Sequence, residues 1–229
     1  MQRGTAVDAV RIPDGRDVLD ADLQVPAGAR GLVIFAHGSG SSRFSTRNRQ
    51  VSDFLNRGGF ATLLLDLLTP AEERVDVRTA EYRFDIPLLG RRVVAATDWA
   101  SQHAGLQERP IGYFGASTGA AAALIAAADR PATAAVVSRG GRPDLAGDVL
   151  PRVHTPTLLI VGGDDGPVIE LNQAAMRHMR ASVELAVVPH ATHLFEEPGA
   201  LDEVQMLALE WFTRFMNPSR GTVYGPEDQ

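Results

Sequence analysis

The sequence predicts an α/β protein in which helices cover both faces of a mostly parallel, doubly wound sheet. From residue 30 onward, short apolar runs rich in β-branched residues alternate with longer segments of helical period. Most of the short runs are continuously apolar, which is typical of parallel strands buried on both faces. Strands are expected at residues 7–12, 17–25, 32–36, 61–66, 111–114, 134–138, 157–161 and 182–188. Helices are expected at 47–57, 87–103, 117–129, 168–179 and 201–216.

The first thirty residues have a different pattern from the rest of the chain. The extended stretches 7–12 and 17–25 are joined by the turn sequence Pro-Asp-Gly-Arg at 13–16. This arrangement predicts a hairpin that adds antiparallel strands to one edge of the sheet. Because the 229 residues contain no low-complexity linker, we expect a single domain over 1–216 and a flexible tail over 217–229.

The composition excludes several kinds of chemistry. The chain has no cysteine, and all 22 of its basic residues are arginine, so thiolate nucleophiles, lysine Schiff bases and a lysine-containing phosphate loop are ruled out. A net charge of −6 with scattered arginines argues against nucleic acid as a partner. The longest apolar run, 120–128, is far shorter than the roughly 20 residues of a membrane span. The first residues contain no apolar signal region, so we expect a cytoplasmic protein that does not bind membranes.

The clearest local motif is the pentapeptide Gly-Ala-Ser-Thr-Gly at 115–119. It directly follows the expected strand 111–114 and directly opens an alanine-rich helix, which is the context of a G-x-S-x-G nucleophile elbow. Only small residues fit two positions before and after a serine on such a strained turn. Ser117 is therefore the candidate nucleophile, although a glycine-rich turn could also serve only to pack a helix closely on the sheet.

A serine nucleophile needs a base, and the base needs a carboxylate that orients it. Both residue types follow later strands, in the order Ser, Asp, His. Asp164 and Asp165 come after the strand at 157–161, and His190 and His193 come after the strand at 182–188. Either residue of each pair fits by position alone, and an aspartate at such a point is often only a helix cap.

These motifs together resemble an α/β-hydrolase fold, and more narrowly the small members related to dienelactone hydrolase, over about residues 17–216. The supporting segments are the Phe-Ala-His-Gly-Ser-Gly stretch at 35–40, the serine motif, the acidic turn and the histidine loop. The resemblance implies a three-layer αβα sandwich without a cap domain. It also implies that Asp165 and His193 are the triad acid and base. Dienelactone hydrolases proper use a cysteine nucleophile, so their substrate is not implied for this serine protein.

The same resemblance implies an oxyanion hole made of the backbone N–H groups of Thr118 and Ser39. In this family a histidine at the position of His37 commonly holds the loop that carries Ser39, which we call the oxyanion loop, by hydrogen bonds and transfers no proton.

Four arginines fall in loops after successive strands, where a fork of guanidinium groups could bind an anionic substrate. They are Arg43, Arg83, Arg139 and Arg142. With so many arginines in the chain, their occurrence near any surface is also expected.

The predicted function is hydrolysis of a small soluble ester or lactone through an acyl-serine, without a cofactor. An acyltransferase or perhydrolase would use the same residues, and a non-catalytic binding protein could share the fold. A metal site at His190 and His193 is disfavoured because no helix is expected there.

The connection 139–156 is too short for a cap, so the charged connection 67–86 should form one wall of an open cleft. A small-molecule substrate and a monomer or homodimer are expected.

Overall fold

The computed structural model describes residues 6–216. Within this range the chain forms one sheet of eight strands, with the spatial order β1-β2-β4-β3-β5-β6-β7-β8. In chain order they are β1 (Val7–Asp14), β2 (Asp17–Gln24), β3 (Leu32–Ala36), β4 (Ala61–Leu65), β5 (Ile111–Ala116), β6 (Ala135–Arg139), β7 (Thr157–Gly162) and β8 (Val183–Val188). The strands from β3 to β8 are parallel, whereas β1 and β2 form an antiparallel hairpin on the outer edge of β4. The predicted sheet and its edge hairpin are confirmed.

Helices pack on both faces of the sheet. The described residues contain α1 (Thr46–Arg57), α2 (Pro70–Thr79), α3 (Ile86–Gln102), α4 (Thr118–Asp129), α5 (Gly166–Met176) and α6 (Ala200–Phe215). Five of the six agree with expectation to within three residues at each end. The expected tail at 217–229 lies outside the described residues.

Alternation along each strand divides the core into two halves. On β5, Tyr113 contributes to the half beneath α3 and α4, while its neighbour Phe114 contributes to the half beneath α1 and α6. Both side chains are fully buried, as expected for a strand covered on both faces. This three-layer arrangement leaves the carboxyl ends of the parallel strands as the edge where loops can gather functional groups.

Helix α2 was not predicted from the sequence, although its first residues carry a signal for it. Thr69 and Glu72 form a capping box, in which the Thr69 side chain accepts from the Glu72 N–H and the Glu72 carboxylate accepts from the Thr69 N–H. Pro70 occupies the first turn, where proline is favoured. The helix has no apolar stripe, since Asp76 is its buried residue, and periodicity therefore could not find it.

The connection after β6 contains a 3₁₀ segment, Pro143–Arg152, in which two short helices meet at Gly147 with φ 52° and ψ −128°. It packs against α4 and α5 and adds no separate layer. Within residues 6–216 no cap domain covers the carboxyl end of the sheet, so this expectation is confirmed. The longer connection after β4 holds α2 beside the same edge.

Candidate active site

Ser117 lies between β5 and α4 in a strained backbone conformation. Its φ of 51° and ψ of −122° are values that residues with a Cβ rarely adopt. Glycine is required on both sides of this turn. A Cβ at Gly115 would lie 2.5 Å from the Cα of Ala120, and one at Gly119 would lie 2.2 Å from the carbonyl oxygen of Ala36. The glycines thus allow the sharp turn that holds the Ser117 side chain at the carboxyl end of the sheet.

The structure brings Asp165 and His193 together from two neighbouring loops. His193 Nδ1 donates a hydrogen bond of 2.7 Å to Asp165 Oδ2. Asp165 follows β7 and occupies the N-cap position of α5, but its side chain makes no capping hydrogen bond. Ser117 likewise occupies the N-cap position of α4 without capping it. Serine and aspartate normally stabilise a helix at this position by about 1 kcal/mol, and neither side chain contributes that stabilisation here.

The alternative acid and base lie elsewhere in the same loops. Asp164 is exposed, and its backbone N–H donates to the carbonyl of Ala191. His190 is exposed, with a left-handed backbone at φ 58°. The structure therefore places Asp165, and not Asp164, against His193.

Ser117 and His193 are linked through the segment that follows β6. The Ser117 N–H donates to the carbonyl of Arg139 at 3.2 Å, and the next residue, Gly140, lies against His193. A Cβ at Gly140 would lie 3.6 Å from His193 Cε1 and 3.0 Å from the His193 carbonyl oxygen. Sequence reasoning did not single out Gly140, because its importance comes from contacts between distant loops. Among the described residues His193 hydrogen bonds to Asp165 alone, which leaves its Nε2 without a protein partner.

The loop after β3 packs against the serine turn. A Cβ at Gly38 would lie 3.0 Å from Ser117 Cβ, so a side chain at this position would crowd the serine. Within the described part of the chain, neither the Ser39 N–H nor the Thr118 N–H has a backbone acceptor. Ser39 is exposed, whereas Thr118 lies buried in the first turn of α4, where the helix dipole favours negative charge.

His37 holds this loop in place. Its Nδ1 donates to the Gly38 carbonyl at 2.9 Å, and its Nε2 accepts from the Leu67 N–H at 3.0 Å. Burial lowers the pKa of His37, and the hydrogen bond to Gly38 and the charge of Asp66 oppose this only in part. The ring is therefore neutral at pH 7, and its hydrogen bonds confirm the expected structural role.

The arginines grouped by sequence have different environments. Arg43 forms ion pairs with Asp22 and Asp66, and Arg83 with the buried Asp76. Arg142 pairs with Asp144 two residues away. Arg139 differs from all of these, because its guanidinium is buried and makes no hydrogen bond or ion pair with the described residues.

No group of three or more histidine, aspartate or glutamate side chains in residues 6–216 is arranged to hold a metal ion. None of the helices in this range is long and apolar enough to cross a bilayer.

The sheet order, the serine turn and the loops after β7 and β8 define the α/β-hydrolase class of protein. A model of the dienelactone hydrolase family matches residues 19–218. The chain belongs to the dienelactone hydrolase family.

Known relatives agree with this assignment. A crystal structure of a dienelactone hydrolase from Anabaena variabilis matches with a TM-score of 0.92 at 54% identity, over 94% of this chain and 100% of that one. Est1E from Butyrivibrio proteoclasticus, at 18% identity, matches with a TM-score of 0.73 over 90% of this chain and 98% of its own, and so shares the fold.

Two curated proteins from strains of Mycobacterium tuberculosis, each described as a candidate phosphoribosyl transferase, are 55% identical over 206 residues. The match covers 90% of this chain and 46% of theirs. The chain therefore spans about half the length of these curated relatives.

Proposed function

We propose that the chain is a serine hydrolase that cleaves a small soluble ester or lactone through an acyl-enzyme. The observation that carries the proposal is the hydrogen-bonded pair of His193 and Asp165 beside the strained turn of Ser117. Ser117 and Asp165 both leave their helices uncapped, which is the expected sign that these side chains serve the reaction. The family match agrees with ester chemistry.

In the proposed reaction, His193 Nε2 takes the proton of the Ser117 hydroxyl while Oγ attacks the substrate carbonyl carbon. Asp165 holds the proton of Nδ1 and stabilises the imidazolium that forms. The N–H groups of Thr118 and Ser39 donate to the negative oxygen of the tetrahedral intermediate. His193 then protonates the leaving alcohol. A water molecule, deprotonated by the same histidine, attacks the acyl-serine, releases the acid and returns the Ser117 hydroxyl.

The absence of a cap in the described range supports a small substrate. A long acyl chain needs an enclosed apolar tunnel, whereas a cleft bounded by α2 and the oxyanion loop stays open to water. The small cavity beside this loop is lined by Ser39, Gly40, Leu68 and Arg83.

The name of the mycobacterial relatives does not extend to this chain in our proposal. The hydrolase family model accounts for almost the whole region that they share with it, and more than half of their length lies outside the match. We assign the transferase name to the part of those proteins that this chain does not match.

The nucleophile is tested by comparing Ser117→Ala with the wild type on p-nitrophenyl esters and lactones. We expect kcat to fall by about 10⁴ or more with the fold intact, because the acyl-enzyme can no longer form. Ser101→Ala, on the exposed face of α3, is the matched control and should keep its activity. Labelling by a fluorophosphonate at a residue other than Ser117 would contradict the assignment.

The substrate size is tested with p-nitrophenyl esters of increasing acyl length. We expect kcat/KM to be highest for acyl groups of about two to four carbons, since an open cleft offers little apolar surface to longer chains. A clear maximum at long chains would show that an apolar tunnel is present after all.

A further inference from the structure

Arg139 is the last residue of β6, directly beside the serine turn. It pairs in register with Ala116, and its carbonyl accepts from the Ser117 N–H. Side chains alternate along a strand, so Arg139 extends to the same face as Val137, the face covered by α1 and α6. Only 6% of the residue is exposed, so its guanidinium lies inside the protein.

No carboxylate among the described residues neutralises Arg139. Its Nε is enclosed and has no hydrogen-bond partner, and its guanidinium carbon lies 5.9 Å from the centre of the Phe195 ring. Burial, together with the nearby positive charge of Arg47, lowers the pKa of Arg139 to about 10. The group is therefore still charged at neutral pH, which is unfavourable for a charge removed from water.

A second positive group lies close to Arg139. Arg47 is in the first turn of α1, a turn that contains no acidic residue to offset the helix dipole. One terminal nitrogen of Arg47 bonds to the exposed Glu196 at 2.9 Å, but its Nε is buried and has no hydrogen-bond partner within residues 6–216. Two guanidinium groups with unused donors therefore lie near one another, beside a cavity that Arg47 lines together with the carboxylates of Glu196, Glu197 and Asp202.

We propose that Arg139 and Arg47 form a subsite for a phosphate group carried by the ester substrate. A guanidinium binds phosphate through paired, charge-assisted hydrogen bonds, and phosphate offers acceptor oxygens to the free donors of both arginines, although Glu196 already offsets part of the charge of Arg47. The subsite lies beside the acylation site on the side of α1 and α6. The claim that the phosphate is part of the substrate rests on the proposed esterase function. The claim that the subsite binds phosphate is independent of that function.

Binding is tested without catalysis in the Ser117→Ala protein, by thermal unfolding with inorganic phosphate or acetate at equal ionic strength. We expect phosphate to raise Tm and acetate to have a smaller effect, since phosphate carries more charge and more acceptor oxygens than acetate. Adding Arg139→Gln should abolish the response and raise Tm in the absence of phosphate by about 2–4 °C, because an unpaired buried charge is removed. A merely structural arginine would instead lower Tm when replaced.

Arg152→Gln is the matched control, because it removes one exposed arginine from the 3₁₀ segment and should keep the phosphate response. Arg47→Gln provides a second variant should Arg139→Gln fail to fold, and it should weaken the response. The proposal is overturned if phosphate leaves the Tm of the Ser117→Ala protein unchanged, if acetate raises it as much, or if Arg139→Gln responds like the control.

The substrate assignment is tested with an acetylated glycerol phosphate and the matching acetylglycerol. We expect the wild type to favour the phosphorylated ester in kcat/KM, and Arg139→Gln to lose about 10- to 100-fold of that preference while Arg152→Gln keeps it. If neither ester is hydrolysed but phosphate still raises Tm, the esterase proposal fails and the phosphate site stands. If both esters are hydrolysed equally well, the substrate assignment is wrong.

Discussion

Two buried arginines show how differently this fold treats positive charge in two regions. Arg92 on α3 is fully buried and bonds to Asp14, Asp17, Glu72 and the carbonyl of Leu67. These residues join the edge hairpin to α2 and α3, and we call them the hairpin junction. Arg139 is also buried but has no such partner, and it lies with Ser117, Asp165 and His193 at what we call the strand-end site.

The difference separates stabilising groups from groups held ready for a ligand. In the hairpin junction each charge has a partner, and the interaction with Glu72 raises the pKa of Arg92 although its burial acts to lower it. At the strand-end site Ser117 is strained and caps nothing, and the buried hydroxyls of Thr118 and Ser138 have no hydrogen-bond partner in the described part of the chain. Unsatisfied polar groups reduce stability, so their concentration at one edge points to function there. Substitutions should therefore affect stability in one region and activity in the other.

After Ser117→Ala, the largest effect is expected for Asp165→Asn at the strand-end site. Loss of the carboxylate removes the group that fixes the His193 tautomer, so kcat should fall by about 10³- to 10⁴-fold with little change in unfolding free energy. Steady-state kinetics and denaturant unfolding measure the two quantities. Asp164→Asn is the matched control and should lose less than about threefold in kcat. Equal losses in the two variants would contradict the assignment of the acid.

The next largest effect is expected for Arg92→Met in the hairpin junction. Removal of the cation leaves Glu72 without its partner and weakens both the α2 cap and the contact with the hairpin, which should cost about 3–5 kcal/mol of unfolding free energy. Chemical denaturation measures the loss, and kcat on a short ester should change by only a few-fold. The double variant Arg92→Met with Glu72→Met should recover part of the stability. A large loss of kcat without destabilisation would break the distinction between the two regions.

A smaller effect is expected from the titration of His37. Burial lowers its pKa in the folded protein below the ordinary 6.5, so below about pH 6.5 the unfolded chain binds a proton that the folded protein does not. Unfolding free energy should therefore fall as pH drops through this range, by at most about 1.4 kcal/mol per pH unit. His37→Gln, which can still accept from the Leu67 N–H, should flatten the slope between pH 6.5 and 5. Ser101→Ala, which removes no titratable group from the exposed face of α3, should leave the slope unchanged.

The smallest effect is expected for Arg152→Gln, which breaks an exposed ion pair with Asp129. Water and salt screen such pairs, so the unfolding free energy should change by less than about 1 kcal/mol. The comparison with Arg92→Met tests whether the loss of unfolding free energy depends on the burial and the number of partners of the arginine that is replaced. A loss comparable to that of Arg92→Met would refute this explanation.

Much of the fold could be predicted because periodicity reports burial directly. The continuous apolar runs became the parallel strands, and the turn at 13–16 became the hairpin of β1 and β2. Helix α2 could not be found in this way, because it buries Asp76 and no apolar stripe. Its capping signal at Thr69 and Glu72 was present in the sequence but indicates only where a helix begins.

The sequence by itself determined the nucleophile motif and the order of candidate groups, because a strand, a glycine-flanked serine and a helix are contiguous in the chain. Only the tertiary structure decided between Asp164 and Asp165 as the partner of His193, since the strand-end loops bring one carboxylate to the imidazole and leave the other exposed. It also separated Arg139 from Arg43, Arg83 and Arg142, which look alike in sequence. Whether an arginine is neutralised depends on carboxylates far away in the chain, and only folding brings those together.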